Sequence, residues 1–381
     1  MNELLILITL AFIIFASPYV ATFIKLPTSA TEILLGIILG TIGLLPDSQS
    51  FKTVADVGFY YLMFLAGMKV DLRVLLRTDK LTLNNTLLFL AASYALAGLF
   101  IYIFSLNLIY LIVLPIMSVG ILSTLYKEYG NDTKWLNTAM FVGVVGEVIS
   151  IALLTVFGAY IENGFGVKLF INLGALIGFL VVVGLIFRWV DVFFWWFPDT
   201  KKALMPQFDK NEKDIRLSIS LLCIVIAVMI ILKLKIVIGA FIAGMFIPTF
   251  FGYKKDLPAK LESFGFGFLV PIFFAYIGST VNLSVLFNPI VAKSVVFLTI
   301  LMLLIRVVPA FVFYKELQSI KEVLLYGVSL GMPLTLLIAT ATVGYGSGYI
   351  GSDAYYSMVL ASVLQAIICT TLIKIIYDSK I

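Results

Sequence analysis

The sequence predicts an all-α integral membrane protein with about thirteen transmembrane helices. Of its 381 residues, 62% are hydrophobic and 12% are charged, whereas a typical soluble domain carries about 25% charged residues. Mean hydropathy is +1.11. The apolar residues also come in blocks of roughly 17 to 25, which is the length a helix needs to cross a bilayer. Together, these features favour membrane-spanning helices over a soluble core.

Polar, proline-containing and glycine-containing joints separate the predicted spans. The first block, LLILITLAFIIFASPYVATFI, is too long for the core of a signal peptide and lacks a basic start and a small-residue cleavage site, so it is a predicted span. The second and ninth spans are short and depend on the helices around them. The thirteen spans are predicted at about 3–24, 30–46, 53–70, 83–104, 108–127, 136–160, 166–190, 214–233, 236–251, 262–281, 291–313, 320–345 and 353–377.

The basic residues predict the orientation of the chain. With thirteen spans and the N-terminus outside, twenty of the 26 Lys and Arg residues fall on the inner side and five on the outer side. Cytoplasmic loops of membrane proteins are enriched in these residues. The sequence therefore predicts a multi-pass protein of the cell (inner or plasma) membrane, with its C-terminus in the cytoplasm. This distribution also accounts for the net charge of +5 without a nucleic-acid partner.

The longest polar stretch, at 197–216, divides the chain into two halves of six spans around the seventh. An odd linker helix inverts the second half relative to the first, as in many transporters built from inverted repeats. We therefore expect residues 1–190 to form the first repeat plus the linker span, 191–213 a cytoplasmic loop, and 214–381 the second repeat. No soluble regulatory domain is expected.

Several chemistries have no motif in the sequence. The chain contains no histidine and two distant cysteines, which fit small core residues better than a disulfide. It also has no Walker-type, dinucleotide-binding or nucleophile-elbow motif. We therefore expect neither enzymatic activity nor a cofactor.

Two ionisable residues are predicted to lie well inside spans. Glu147 is in FVGVVGEVISIALL (141–154), and Arg306 is in LTILMLLIRVVPAFVF (298–313). Intramembrane ionisable groups usually mark ion or proton paths. Because arginine keeps its proton in proteins, Glu147 is the plausible proton carrier at this depth and Arg306 its counter-ion. The alternative is an ion pair between them that only fastens two helices.

The fifth and twelfth spans contain helix-breaking residues near their centres. Proline removes a backbone hydrogen bond and glycine lowers the cost of unwinding, and paired interruptions in two halves point to a transporter site. In the fifth span, Ser118 lies between Pro115 and Gly120. Simple kinking is the alternative to unwinding. The residues predicted to line unwound, crossing helices are Met117, Val119, Gly120, Gly331, Pro333 and Thr335.

Several segments resemble the monovalent cation:proton antiporter family, which includes bacterial sodium/proton antiporters and the membrane domains of potassium-efflux systems. The similarity extends over nearly the whole chain. It is carried by LPTSATEILLGIILGTIGLLP (26–46), VADVGFYYLMFLAGMKVDL (54–72), VVGEVISIALL (144–154), IGAFIAGMF (238–246) and LVPIFFAYIGSTVNL (269–283).

This resemblance implies a sodium/proton antiporter fold with crossed, discontinuous helices. It also implies a core domain that carries the ion past a dimerising domain in an elevator-like motion, and hence a homodimer. Glu147 stands at the position of the family's ion-binding aspartate, Arg306 at that of a buried lysine or arginine, and Ser118 at that of a serine on the fifth span. Gly146 departs from the pattern, because a polar residue usually precedes the carboxylate.

The sequence-based hypothesis is a secondary active transporter in the lipid bilayer that exchanges Na⁺ or K⁺ for H⁺ by alternating access. Glu147 would hold a proton and the metal cation in turn, while Ser118 and carbonyl groups of the unwound helices complete the oxygen ligands. One alternative is a sodium-coupled solute symporter of the same fold. The other is a transport-inactive membrane sensor or assembly subunit, an idea motivated by Gly146.

Overall fold

The computed structural model describes residues 2–70, 80–119, 122, 125, 129, 133–164, 167–206, 211–232, 234, 236–281 and 283–379. All regular elements in these ranges are helical. The first half of the chain contains α1 (Asn2–Ile24), α2 (Thr28–Thr41), α3 (Gln49–Gly67), α4 (Lys80–Phe104), α5 (Tyr110–Val113), α6 (Lys134–Asn163), α7 (Val167–Trp196) and α8 (Pro198–Leu204).

The second half continues with α9 (Lys213–Ile231), α10 (Ile236–Phe251), α11 (Leu257–Phe264), α12 (Val270–Ser279), α13 (Pro289–Ala310), α14 (Tyr314–Leu317), α15 (Ile320–Ser329), α16 (Leu334–Gly346) and α17 (Ser352–Asp378). A π-helical turn, Gly265–Leu269, joins α11 to α12. Short 3-10 turns at Leu283–Phe287 and Phe311–Phe313 flank α13.

The helices confirm the predicted membrane architecture. Within the described ranges, nine helical segments are long and apolar enough to cross a bilayer, and Thr28–Thr41 and Ile236–Phe251 are shorter apolar helices. These two are the spans that were predicted to be short. Each of the thirteen predicted ranges contains a helix, so the expected number of about thirteen spans agrees with the structure.

The segment predicted as a loop at 191–213 is partly helical. Helix α7 continues through the aromatic residues to Trp196, and α8 begins at Pro198. The helix extends because the residues up to Trp196 are mostly apolar and include no proline or glycine. Proline is favoured in the first turn of a helix but cannot supply the N–H that would continue the previous one. The predicted boundary of the seventh span was therefore six residues too early.

Both spans that carry central breakers are interrupted. In the fifth, α5 ends at Val113 and residues 114–119 are non-helical. In the twelfth, α15 ends at Ser329, residues 330–333 are non-helical, and α16 begins at Leu334. These interruptions confirm the expectation of discontinuous helices. We refer to 114–119 as the first break and to 330–333 as the second break.

The helices form two groups. One group, which we call the panel, contains α1, α2, α3, α9, α10, α11 and α12. The other, which we call the bundle, contains α4, α5, α6, α13, α15, α16 and α17 and includes both breaks. The two groups meet where α10 packs on α6 and where α2 packs on α17, and α7 packs on α6 of the bundle while its Phe187 contacts Phe250 of α10.

Within the panel, glycine allows helices to touch through their backbones. A Cβ atom on Gly244 of α10 would lie 2.0 Å from the carbonyl oxygen of Phe64 in α3. A Cβ atom on Gly278 of α12 would lie 2.2 Å from the carbonyl oxygen of Ile33 in α2. Small residues at such positions permit the close packing on which helix association in membranes depends. The panel is therefore closely interlocked.

Candidate ion-binding site

Glu147 lies near the middle of α6 and is completely buried. Its Oε1 atom accepts a hydrogen bond from the Ser118 hydroxyl at 3.2 Å, and its Oε2 atom accepts one from the Val119 N–H at 3.2 Å. Both donors belong to the first break, whose non-helical backbone turns an N–H toward the carboxylate instead of into a helix. The break thus positions two donors on one buried glutamate.

The second break reaches the same place through Thr335. The hydroxyl oxygens of Ser118 and Thr335 are 2.9 Å apart, and both residues are buried. Thr335 lies in the first turn of α16, directly after Pro333 interrupts the span. The two breaks therefore meet beside Glu147, where carboxylate and hydroxyl oxygens form one chain. Oxygen donors of this kind are the ligands that hard cations prefer.

A second pair of contacts fastens the first break to α6. The Met117 N–H donates to the Ser150 hydroxyl at 3.3 Å, and Tyr94 of α4 neighbours the same hydroxyl. Ser150 follows Glu147 by three residues, so both lie on one face of the helix. In a bilayer, backbone polar groups outside helices need partners within the protein. Side chains on this face of α6 supply them at residues 117 and 119.

Arg306 of α13 ties the two breaks together through their carbonyl groups. It is fully buried. Its Nε atom donates to the Leu330 carbonyl at 2.9 Å, and Nη1 donates to the carbonyls of Leu114 at 2.8 Å and Met302 at 2.6 Å. Nη2 donates to the Ile116 carbonyl. One guanidinium therefore bonds to both breaks and to its own helix.

The predicted ion pair between Arg306 and Glu147 does not form within the described part of the chain. A guanidinium has five N–H donors in a planar fork, which suits several carbonyls at once. The ends of broken helices leave such carbonyls without intrahelical partners, and they carry partial negative charge. The structure thus places Arg306 at the backbone of the breaks and leaves the carboxylate of Glu147 to Ser118 and Val119.

Among the described residues, Lys69, two residues beyond the end of α3, is the cation whose charge acts on Glu147. Its ammonium group lies 3.8 Å from Oε1 of Glu262 in α11, and it is mostly buried. Lys69 thus belongs to the panel, while Glu147 belongs to the bundle. The available signal of this role was a lysine inside the third predicted span, 53–70.

The position of Met117 explains why residue 146 is a glycine. A Cβ atom on Gly146 would lie 2.4 Å from the Met117 sulfur and 3.2 Å from its Cβ. The methionine side chain therefore occupies the space into which a polar residue before the carboxylate would project. Of the remaining residues predicted at the breaks, Met117, Val119, Gly331 and Pro333 are non-helical, whereas Gly120 lies outside the described residues.

The buried carboxylate of Glu32 was not predicted from the sequence. It lies in α2 of the panel, is 3% exposed, and accepts a hydrogen bond from Ser17 of α1 at 3.3 Å. Its position near the predicted start of the second span made it resemble a residue at a helix end. The apolar run ILLG that follows it was the available signal of burial.

Comparisons with known proteins agree with this architecture. A family model described as sodium/hydrogen exchanger, transmembrane, matches residues 8–378. The chain is 25% identical over 383 residues to the putative Na(+)/H(+) antiporter YjbQ of Bacillus subtilis, with 94% of the chain covered but only 60% of that protein's length. It is 25% identical over 387 residues to probable Na(+)/H(+) antiporter 3 of Methanocaldococcus jannaschii, covering 97% of this chain and 95% of the relative.

A solved structure shares the fold. The sodium proton antiporter MjNhaP1 from Methanocaldococcus jannaschii, determined at pH 8, superposes with a TM-score of 0.68 at 14% sequence identity. The match covers 99% of both chains. It confirms the expectation of a sodium/proton antiporter fold.

Proposed function

The chain belongs to the sodium/hydrogen exchanger family, and we propose that it exchanges Na⁺ or K⁺ for H⁺ by alternating access, with Glu147 as the carboxylate that binds each in turn. The observation that carries this proposal is the meeting of two broken spans at one buried glutamate, beside Ser118 and Thr335. Family membership supports cation/proton exchange, and the geometry supports the assignment of Glu147.

The proton and the cation compete for the same oxygens. When Glu147 is protonated, its O–H donates to a hydroxyl oxygen, and the hydroxyls of Ser118 and Thr335 pass the hydrogen bond along. When a cation binds, the ionised carboxylate supplies a negative oxygen and the hydroxyls turn their lone pairs to the ion. Unwound carbonyls complete the ligand set. Because one carboxylate serves both ions, each displaces the other.

Arg306 has a structural part in this proposal. Since it donates to carbonyls of both breaks, it holds the unwound segments in shape while Glu147 changes occupant. It also balances the partial negative charge at the C-terminal ends of α5 and α15. Arginine keeps its proton, so this function does not vary as the transported proton comes and goes.

The division into panel and bundle supports a mode of movement. We propose that the bundle carries the site across the membrane in an elevator-like motion while the panel stays fixed and forms a homodimer. Close backbone packing at Gly244 and Gly278 suits a rigid panel. The distribution of Lys and Arg supports a cell-membrane protein with its N-terminus outside.

One observation favours a second candidate. Because Met117 fills the space beside Gly146, the site has an apolar thioether where related proteins usually have a polar side chain. A transport-inactive membrane protein of the same fold, acting as a sensor or an assembly subunit, would tolerate this replacement.

Exchange in proteoliposomes decides between these functions. Purified protein is reconstituted with a pH-sensitive dye inside the vesicles, and Na⁺, K⁺ and Li⁺ are added in turn to an imposed pH gradient. We expect the wild type to dissipate the gradient with Na⁺ or K⁺. Glu147→Gln should abolish this activity, because an amide neither releases a proton nor carries the negative charge that binds the cation.

The matched control is Glu32→Gln, which neutralises another buried carboxylate but lies in the panel. It should retain exchange. Normal exchange by Glu147→Gln would refute the assigned role of Glu147 while leaving the family activity intact. A wild type that is silent with all three ions across a wide pH range would instead favour the transport-inactive candidate.

A further inference from the structure

Gln365 is a buried polar side chain that the exchange mechanism leaves unused. It lies in α17, is 0% exposed, and neither its Nε2 nor its Oε1 atom makes a full hydrogen bond to a described residue, although the amide interacts with the neighbouring Cys369 thiol. Helix α17 packs against α13, α15 and α16 at the centre of the bundle. The amide is therefore enclosed by protein at a depth where the bilayer offers no water.

The amide lies against the second break. One turn further along α17, the Cys369 thiol donates to the Gly331 carbonyl with a sulfur–oxygen distance of 3.4 Å. A Cβ atom on Gly331 would lie 2.8 Å from the Cys369 sulfur and 3.6 Å from Nε2 of Gln365. Glycine at 331 thus lets two donors of different strength approach the same piece of backbone.

The donor that holds the Gly331 carbonyl is the weaker of the two. A thiol is a weak hydrogen-bond donor, whereas a primary amide has two full N–H donors. A buried amide without partners also opposes folding, and an apolar side chain of similar size avoids this cost. An amide at this position is therefore explained by partners that it gains in another state of the bundle.

The partner that the Gln365 amide gains is not a transported cation. The Leu330 carbonyl, directly before Gly331, already accepts from the Arg306 guanidinium. Positive charge in the adjacent backbone unit opposes the binding of a second cation. Backbone carbonyls of the second break are therefore better matched to the Gln365 amide than a metal ion is.

We propose that the Gly331 carbonyl transfers from the Cys369 thiol to the Gln365 amide when the cation-loaded bundle changes its facing state. This makes Gln365 a positioning residue for Thr335, which lies four residues after Gly331 and contacts Ser118 at the site. The proposal rests on the proposed function, because it assigns a step in the exchange cycle. It adds a residue on α17 to those that govern transport.

The test combines transport, stability and the state of one thiol. Cys223→Ser leaves Cys369 as the sole cysteine of the chain, so the infrared S–H stretch then reports on Cys369 alone. In this background, adding the transported ion, with Na⁺ tried first, should move the S–H band toward the frequency of a thiol that donates no hydrogen bond. Gln365→Met should prevent this movement.

Gln365→Met should also lower the exchange rate at saturating cation about tenfold, equivalent to about 1.4 kcal/mol, while its unfolding temperature in detergent rises. A merely structural amide predicts the same gain in stability with no loss of rate. Cys369→Ala is the control, because it removes the weak donor and keeps Gln365, and it should retain exchange.

Three outcomes are decisive. If Gln365→Met exchanges ions at the wild-type rate, the proposal is overturned while the exchange function stands. If Gln365→Met does not fold, the S–H band of the Cys223→Ser protein decides. A band that does not move when the cation is added overturns the proposal, and a band that moves as expected supports it. A wild type that exchanges no cation refutes the proposed function, and this step with it.

Discussion

Replacing Arg306 with lysine tests whether this residue serves the backbone or the carboxylate. Arg306→Lys keeps the positive charge but replaces a planar fork of donors with a single ammonium point. The guanidinium donates to the carbonyls of Leu330, Leu114, Ile116 and Met302 through three nitrogens. One ammonium nitrogen cannot occupy these three positions, so we expect at least two of the four bonds to be lost.

The magnitude follows from the number of bonds. A hydrogen bond from a charged donor contributes about 1.5–3 kcal/mol, so losing two lowers the free energy of unfolding by about 3–6 kcal/mol. This is a large share of the roughly 5–15 kcal/mol that is usual for native proteins. Arg188→Lys in α7 is the matched control, because Arg188 is exposed, and it should leave the stability unchanged.

A double-mutant cycle of Arg306→Gln with Glu147→Gln separates the two roles, because each of these substitutions removes a charge. Arg306 and Glu147 share no hydrogen bond, but both bond to the first break, so we expect a modest coupling energy of about 1 kcal/mol. A direct buried pair would instead give a coupling of about 3–5 kcal/mol, since each single variant leaves a buried charge alone. Unfolding in mixed micelles, followed by far-ultraviolet circular dichroism, measures all four proteins. A coupling in that higher range would refute our account of Arg306.

Two further predictions concern glycine positions. Gly146→Asn should destabilise the protein because its new side chain meets the Met117 sulfur, and adding Met117→Ala should restore most of the lost unfolding temperature; no recovery in the double variant would contradict the explanation of Gly146. Gly244→Ala should lower the free energy of unfolding by about 2 kcal/mol or more, because its methyl group meets the Phe64 carbonyl, whereas Gly178→Ala has open space around it and should be neutral by the same thermal assay.

Much of the fold could be predicted because its signals are local. A stretch of apolar residues of bilayer length is a helix wherever it occurs, since the backbone must satisfy its own hydrogen bonds in lipid. Likewise, Pro115 and Pro333 lack the backbone N–H that a continuous helix needs, and the interruptions lie at these residues. The end of α7 was predicted less well, because aromatic residues suit both a helix and a membrane interface.

Partner choice could not be predicted in the same way. Arg306 was predicted to pair with Glu147 because these were the two ionisable residues predicted well inside spans. Carbonyl groups of unwound helices also carry partial negative charge, but the sequence does not show which cation they attract. The position of Met117 over Gly146 likewise depends on how the first break crosses α6. The prediction that Glu147 and Ser118 bind the ion remains a prediction, now with a geometry to test.

The hydrogen bonds from Arg306 to backbone carbonyls affect leak, which is movement of the empty carrier across the membrane without exchange. Under the proposed exchange, an empty and ionised Glu147 carries a negative charge that no ion pair with Arg306 neutralises, because the guanidinium donates to backbone carbonyls instead. Lys69, the cation that does act on it, belongs to the panel. Carrying a bare charge past a low-dielectric barrier is costly, whereas a site holding H⁺ or Na⁺ is neutral. The unloaded carrier is thereby kept from returning, and leak without exchange is suppressed.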